Sequence, residues 1–204
     1  MSEFKYPRVT QIIKETTPPE DLKGLIRWQK KMDQIHGTGG AEKQRQQILD
    51  NGTALHLSIE NYLKGKPETN SHEWLPYVQP LLNKVKNSNL IIEKRLFSDV
   101  HQFTGKPDCV SEDFNSKVTI FDWRSSAKLK KRKYIEDKFL QAGAYAIALQ
   151  EKTSINVEQL AVVVVVGATK NYQIFLEEPD PWKEKFLERL EQYNNLKKEG
   201  KLSN

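Results

Sequence analysis

Residues 161–166, one alanine followed by five valines, make up most of the longest unbroken apolar run. A run that short and that β-branched predicts a strand buried on both faces. Four further stretches read as strands: residues 90–97, 103–112, 118–123 and 172–176, with Asp113-Phe114-Asn115-Ser116 as one intervening turn. Elsewhere the period lengthens to that of a helix. Pro18-Pro19-Glu20-Asp21 is a helix start leading into Leu22, Leu25, Ile26 and Trp28. His36-Gly37-Thr38-Gly39-Gly40 breaks that helix, and a second runs from about Ala41 past Leu63 to Lys64-Gly65-Lys66-Pro67. Helices are predicted over 72–86, 134–150 and 181–198 as well. Helices first, then a strand meander, one helix and more strands predict a mixed α/β fold, a central mixed β-sheet flanked by helices. With no internal repeat or low-complexity linker, residues 1–204 form one domain: 1–88 mainly helical, 89–204 carrying the sheet.

Composition narrows the class without changing it. The chain is 204 residues long, 37% hydrophobic and 29% charged, which suits one globular domain with a full core rather than a disordered polymer. No apolar run approaches the roughly 20 residues that span a bilayer, so no membrane association is expected. No secretory or organelle leader is evident. The fold is thus expected to begin near Met1, in the cytoplasm of a bacterial or phage-infected cell. The single cysteine, Cys109, has no partner for a disulfide or a zinc site and reads as a small buried residue. A net charge of +5 says little by itself. Its distribution says more, because Lys128, Lys130, Lys131, Arg132 and Lys133 fall in one stretch. From charge alone, a phosphate-binding segment and a solvated loop fit that stretch equally.

Candidate chemistry centres on Gly105-Lys106-Pro107-Asp108 and, across a turn, Ile120-Phe121-Asp122-Trp123-Arg124. Adjacent strands would bring Asp108 and Asp122 together at one end of the sheet. Two carboxylates sharing a site repel unless a cation or a proton intervenes. Oxygen ligands of this kind suit Mg²⁺ or Mn²⁺. Side chains alternate along a strand, so Asp122 and Arg124 point one way and Trp123 the other. Singly, each aspartate also fits a surface carboxylate beside an arginine. Upstream, Gly52, His56 and Glu60 fall four apart on one helix face. His56 is a candidate further ligand, or a half-buried histidine paired with Glu60, and Gly52 would permit close approach of another element or of DNA. Gln141 and Tyr145, also four apart, can hydrogen-bond, and a tyrosine can stack under a base.

In this order and spacing, Gly-Thr-Ala-Leu-His-Leu-Ser-Ile-Glu (52–60), Glu93, Gly-Lys-Pro-Asp (105–108), Phe-Asp-Trp-Arg-Ser-Ser (121–126) and Gln-Ala-Gly-Ala-Tyr (141–145) resemble the RecB-type branch of the PD-(D/E)XK nucleases. Within it, Tyr6-Pro7-Arg8-Val9-Thr10-Gln11-Ile12 and Arg27-Trp28 look most like the group of the mitochondrial genome maintenance exonuclease with its bacterial and phage relatives. The resemblance implies a restriction-endonuclease-like core, with Asp108, Asp122, His56 and the Trp123 carbonyl holding Mg²⁺ or Mn²⁺. It implies that Gln141 and Tyr145 organise the site or its substrate, with Glu93 at the family's glutamate position and in a role that is functional or purely structural. It also implies an arch built from the first two helices, through which a single strand threads. The function that follows is a metal-dependent exonuclease acting on single-stranded DNA ends or flaps, monomeric by preference, with Lys128, Lys130, Lys131 and Lys133 holding phosphates.

The sequence departs from the family at Arg124, where relatives carry a lysine that assists water activation. Arginine keeps the charge but does not release its proton. A second reading is therefore a catalytically disabled single-strand-binding protein on a nuclease scaffold. A third, purely structural reading requires Asp108, Asp122 and His56 to lie apart.

Overall fold

Residues 6–67 and 71–202 are described by the computed structural model of the chain. Met1, where the fold is expected to begin, lies outside the described residues. The valine-rich strand, β6 (Gln159–Val166), lies inside the sheet, paired in parallel with the central strand β5 (Lys117–Ser126) and antiparallel with the edge strand β7 (Asn171–Glu177). On the other side of β5, β4 (Cys109–Phe114) and β1 (Leu90–Ile92) add antiparallel, completing a five-stranded sheet in the order β1-β4-β5-β6-β7. The parallel pair needs a crossover, and helix α5 (Glu136–Thr153) supplies it. This is the mixed sheet that the hydrophobic pattern predicts.

Alternation along the strands divides the core in two. Ile120, Leu160, Val162, Val164 and Val166 face α5 and the final helix α6 (Asp180–Lys198), joined by Val9 and Ile12 from a short N-terminal helix, α1 (Val9–Glu15). Phe121, Trp123, Ala161, Val163 and Val165 face the opposite way, onto Leu55, Ile59 and Leu63 of α3 (Gly40–Leu63) and the apolar face of α4 (Leu75–Val85). Cys109 is fully buried in that second layer, and burial pushes its thiol up to about 12. The packing of α6 on α5 is close enough that Gly143 has no room for a side chain: a Cβ there would lie 2.7 Å from the Trp182 backbone.

Helix α2 (Pro19–His36) differs from the rest. It packs chiefly on α3, buries none of its residues, and leaves Leu22, Leu25, Ile26 and Ile35 exposed. Gly37 and Gly39, at φ 80° and 83°, make the turn between the two helices in a conformation that other residues rarely adopt.

Two sequence expectations are corrected. The runs at 90–97 and 103–112 are each broken into two strands. Glu93, at φ 53°, turns the chain out of β1, so that β2 (Leu96–Ser98) pairs instead with β3 (Phe103–Gly105) in a separate two-stranded sheet. Between β3 and β4, Pro107 has no N–H to donate to a ladder, and the chain leaves the sheet over Lys106-Pro107-Asp108. Helix α1 is a further addition: Val9, Ile12 and Ile13 stand at helical spacing, but over only 7 residues. Its N-terminus has no side-chain cap, while the Thr16 and Thr17 hydroxyls donate to the Ile12 and Ile13 carbonyls at its C-terminal end.

If the α5–α6 contact is as tight as Gly143 requires, Gly143→Ala forces one helix off the other. Overpacking of this kind costs about 1–3 kcal/mol, and a lower midpoint in a denaturant melt with unchanged slope is the expected result.

Candidate functional site

The antiparallel register of β4 and β5 sets Cys109 opposite Phe121, which brings Asp108 beside the Asp122–Trp123 step of β5. The contact is direct: the Trp123 backbone N–H donates to Asp108 Oδ2 at 2.8 Å. Asp122, only 3% exposed, points to the α5 side of the sheet. From the other layer, α3 delivers His56, whose Nδ1 lies 3.4 Å from the same Asp108 oxygen. Gly52, one turn earlier on α3, faces Ser125 of β5, where a Cβ would meet Oγ at 3.4 Å, a contact that a side chain could make. Asp108 therefore touches both β5, through the Trp123 amide next to Asp122, and His56 of α3, where two strands and a helix meet.

Electrostatics follow from that crowding. Burial, then the Asp122 charge, raises the Asp108 pKa well above the ordinary carboxylate range. Burial and the Arg124 charge lower that of His56, which favours a neutral imidazole with a free lone pair. The cation that balances Asp122 is Arg124: its Nε and Nη2 donate to the two carboxylate oxygens. Nη2 also reaches Gln141 Oε1 at 3.3 Å, and Gln141 Nε2 donates to the Tyr145 hydroxyl at 2.6 Å. A relay of side chains thus runs from Asp122 through Arg124 and Gln141 to Tyr145.

Tyr145 is 5% exposed, with its ring against Gly105, where a Cβ would fall 2.2 Å from a ring carbon. That burial leaves no ring face for a nucleic-acid base and corrects the stacking expectation; it leaves the tyrosine able to fix Gln141. Glu60 is not in the site either. It pairs with Lys64 at 2.5 Å, so the alternative of a His56–Glu60 pair is replaced by His56–Asp108. Glu93 sits at the rim, its N–H donating to the Asp108 carbonyl at 3.2 Å and its carboxylate paired with Lys106. Lys106 is a rim residue that the motifs alone do not single out. Its one signal in the sequence is adjacency, two residues before Asp108. Trp123 contributes only backbone, because its indole stacks on Phe121 in the opposite layer.

Lys128, Lys130, Lys131 and Lys133 are exposed on the loop that follows β5. The loop is pinned by the Lys130 backbone, which exchanges two hydrogen bonds with the Gln173 side chain, at 2.8 and 3.2 Å. Arg132 is withdrawn from the cluster: it pairs with Glu177 at 2.7 Å and lies over the Phe139 and Trp182 rings.

Hard oxygen donors with one imidazole suit Mg²⁺ or Mn²⁺, and the buried carboxylate pair calls for positive charge. Among the described residues, however, no three His, Cys, Asp or Glu side chains are poised together around a cation. The guanidinium of Arg124 already takes both Asp122 oxygens.

No family model matches the chain. Among curated proteins, it is 30% identical to mitochondrial genome maintenance exonuclease 1 of Xenopus tropicalis over 98% of its own length, and 24% identical to that of Homo sapiens over 94%. It is related to the PD-(D/E)XK-type nucleases. The chain spans about 60% of the length of those relatives. Two solved structures share the fold. The crystal structure of SSO0001 superposes with a TM-score of 0.56 at 13% identity, covering 96% of this chain and 78% of that one. A candidate exonuclease from Eubacterium rectale gives 0.54 at 10% identity, covering 98% and 83%. Among the described residues, no helix is long and apolar enough to cross a membrane.

The raised Asp108 pKa has a sign that can be checked. Below the ordinary aspartate range both folded and unfolded chains carry the proton, and the group is neutral to stability. As pH rises through that range the unfolded chain releases the proton while the folded one keeps it, so stability falls. Asp108→Asn mimics the protonated form. Without divalent cations, its melting temperature is expected to exceed wild type by a margin that grows from about pH 5 to about pH 7. A margin that stays constant with pH would mean that Asp108 ionises normally.

Proposed function

We propose that the protein is a metal-dependent exonuclease acting on single-stranded DNA at free ends or flaps. The observation that carries this reading is the convergence of Asp108, Asp122 and His56 beside Arg124 and Gln141 at the β4–β5 crossing. The kinship with mitochondrial genome maintenance exonuclease 1 supports it. Asp108, Asp122 and His56 would hold Mg²⁺ or Mn²⁺, with the Trp123 carbonyl as a further ligand. When bound, such a cation supplies a hydroxide nucleophile near neutral pH and neutralises charge developing on the phosphate. Gln141, fixed by Tyr145, orients Arg124. Arg124 stabilises phosphate charge but does not serve as a proton donor or acceptor. Lys128, Lys130, Lys131 and Lys133 attract the backbone, and the α2–α3 hairpin forms the arch beneath which a strand with a free end threads.

The Arg124 clamp on Asp122 favours a second reading: a single-strand-binding protein on this scaffold with little turnover. Lysine has a compact charge whose pKa can fall in a desolvated site, which allows it to assist proton transfer. Arg124→Lys is expected to leave single-strand affinity within a small factor and to raise single-turnover cleavage in Mn²⁺ by at least about tenfold, equivalent to about 1.4 kcal/mol of barrier. No cleavage by either protein, with Mn²⁺ bound, makes the binding reading the better one.

Substrate access has its own checks. Linear single strands are expected to be digested while closed single-stranded circles resist; equal digestion of both removes the threading arch. Neutralising Lys130, Lys131 and Lys133 together is expected to weaken single-strand binding and to reduce the log–log salt slope by about 0.7 for each phosphate that is no longer neutralised.

A further inference from the structure

Asp122 is nearly inaccessible, its side chain 5% exposed, whereas the Arg124 side chain that covers it is 29% exposed. The guanidinium is thus a plug with its inner edge on the carboxylate and its outer edge toward solvent. Its fork matches the carboxylate bidentately, the geometry by which arginine also grips a phosphate. A divalent cation ligated by Asp122 needs at least one of the two oxygens that Arg124 holds. Two cations on one carboxylate repel, so the guanidinium and the metal ion compete for the same place.

Arg124 also has somewhere to go. Nη2 already touches Gln141 Oε1, a neutral acceptor that Tyr145 holds in position, so one nitrogen can stay tethered while the fork turns outward. Strand β5 ends two residues beyond Arg124, and the exposed Lys128, Lys130 and Lys131 follow directly. A phosphate backbone drawn to those lysines arrives next to the outer edge of the plug. Moving the fork from a carboxylate to a phosphate exchanges one bidentate charged pair for another.

We propose that Arg124 is the resident counter-cation of Asp122 and is drawn off by a nucleic-acid phosphate, so that divalent-cation binding and single-strand binding are positively coupled. The inference rests on the metal site proposed above and adds to it an order of assembly. Free protein holds the metal ion weakly; protein carrying a single strand holds it well. Because linkage is reciprocal, the metal ion tightens single-strand binding by the same factor.

The experiment is a Mn²⁺ titration of the full chain, read from the free-ion electron paramagnetic resonance signal. It is run with and without a saturating phosphorothioate single strand that resists cleavage, with the Asp122→Ala protein correcting for ions held by the oligonucleotide itself. Wild type is expected to bind Mn²⁺ at least about tenfold more tightly with the strand present, within the usual range of coupling. Arg124→Met removes the plug and is expected to bind Mn²⁺ tightly without the strand, which then adds less than about twofold. Arg124→Lys keeps the charge but cannot span both oxygens, and it is expected to follow Arg124→Met. Equal Mn²⁺ affinity of wild type and Arg124→Met in the absence of the strand overturns the competition and leaves the nuclease reading intact. Arg124→Lys binding as weakly as wild type while Arg124→Met binds tightly overturns the plug in favour of net charge alone. If no variant binds Mn²⁺ with or without the strand, the metal site itself is wrong and the coupling falls with it.

Discussion

Holding two aspartates against each other inside a protein is expensive, and much of this structure is arranged around that cost. A buried carboxylate loses its hydration, and a second one beside it adds repulsion that a low-dielectric setting screens poorly. Three devices meet the demand. The Trp123 N–H is aimed at Asp108, the Arg124 fork closes on Asp122, and Asp108 itself is driven toward its neutral form. Only the fork is local to one segment, since Asp122 and Arg124 share β5. The amide comes from strand register, the fork from β-alternation, and the imidazole beside them from a helix in the opposite layer.

How much of this is legible in the sequence depends on the range over which each feature is determined. The valine run identifies an interior strand because burial on both faces leaves a continuous apolar signal. The Asp122–Arg124 juxtaposition is legible because a strand repeats every two residues, and Gly52–His56 because a helix brings residues four apart onto one face. The breaks at Glu93 and Pro107 are not, although a proline stands in one of them. A run of apolar residues registers the burial of a segment but not which sheet receives it, and β2 and β1 belong to different sheets. Tyr145 is misleading for a related reason. Helical spacing puts it on one face with Gln141, but only its packing against Gly105 reveals that this face is the inside of the molecule.

Arg124 shows how the shape of a cation, and not only its charge, sets the character of a site. Lysine and arginine differ little in a net-charge sum. In a cramped position between a carboxylate and an amide, the planar fork satisfies both at once, whereas a lone ammonium would leave acceptor capacity for other ligands.

The contrast between α2 and the sheet has a consequence for motion. Helix α2 buries none of its residues, while β6 is buried along almost its entire length. Opening α2 exposes little new apolar surface, so it requires far less free energy than opening the sheet. Amide hydrogens of the hairpin would then exchange with solvent through local unfolding, while those of β5 and β6 wait for the whole molecule to unfold. The molecule would behave as a rigid block carrying a loosely hinged cover, and anything entering from the α2 side would meet the part of the chain that yields most readily.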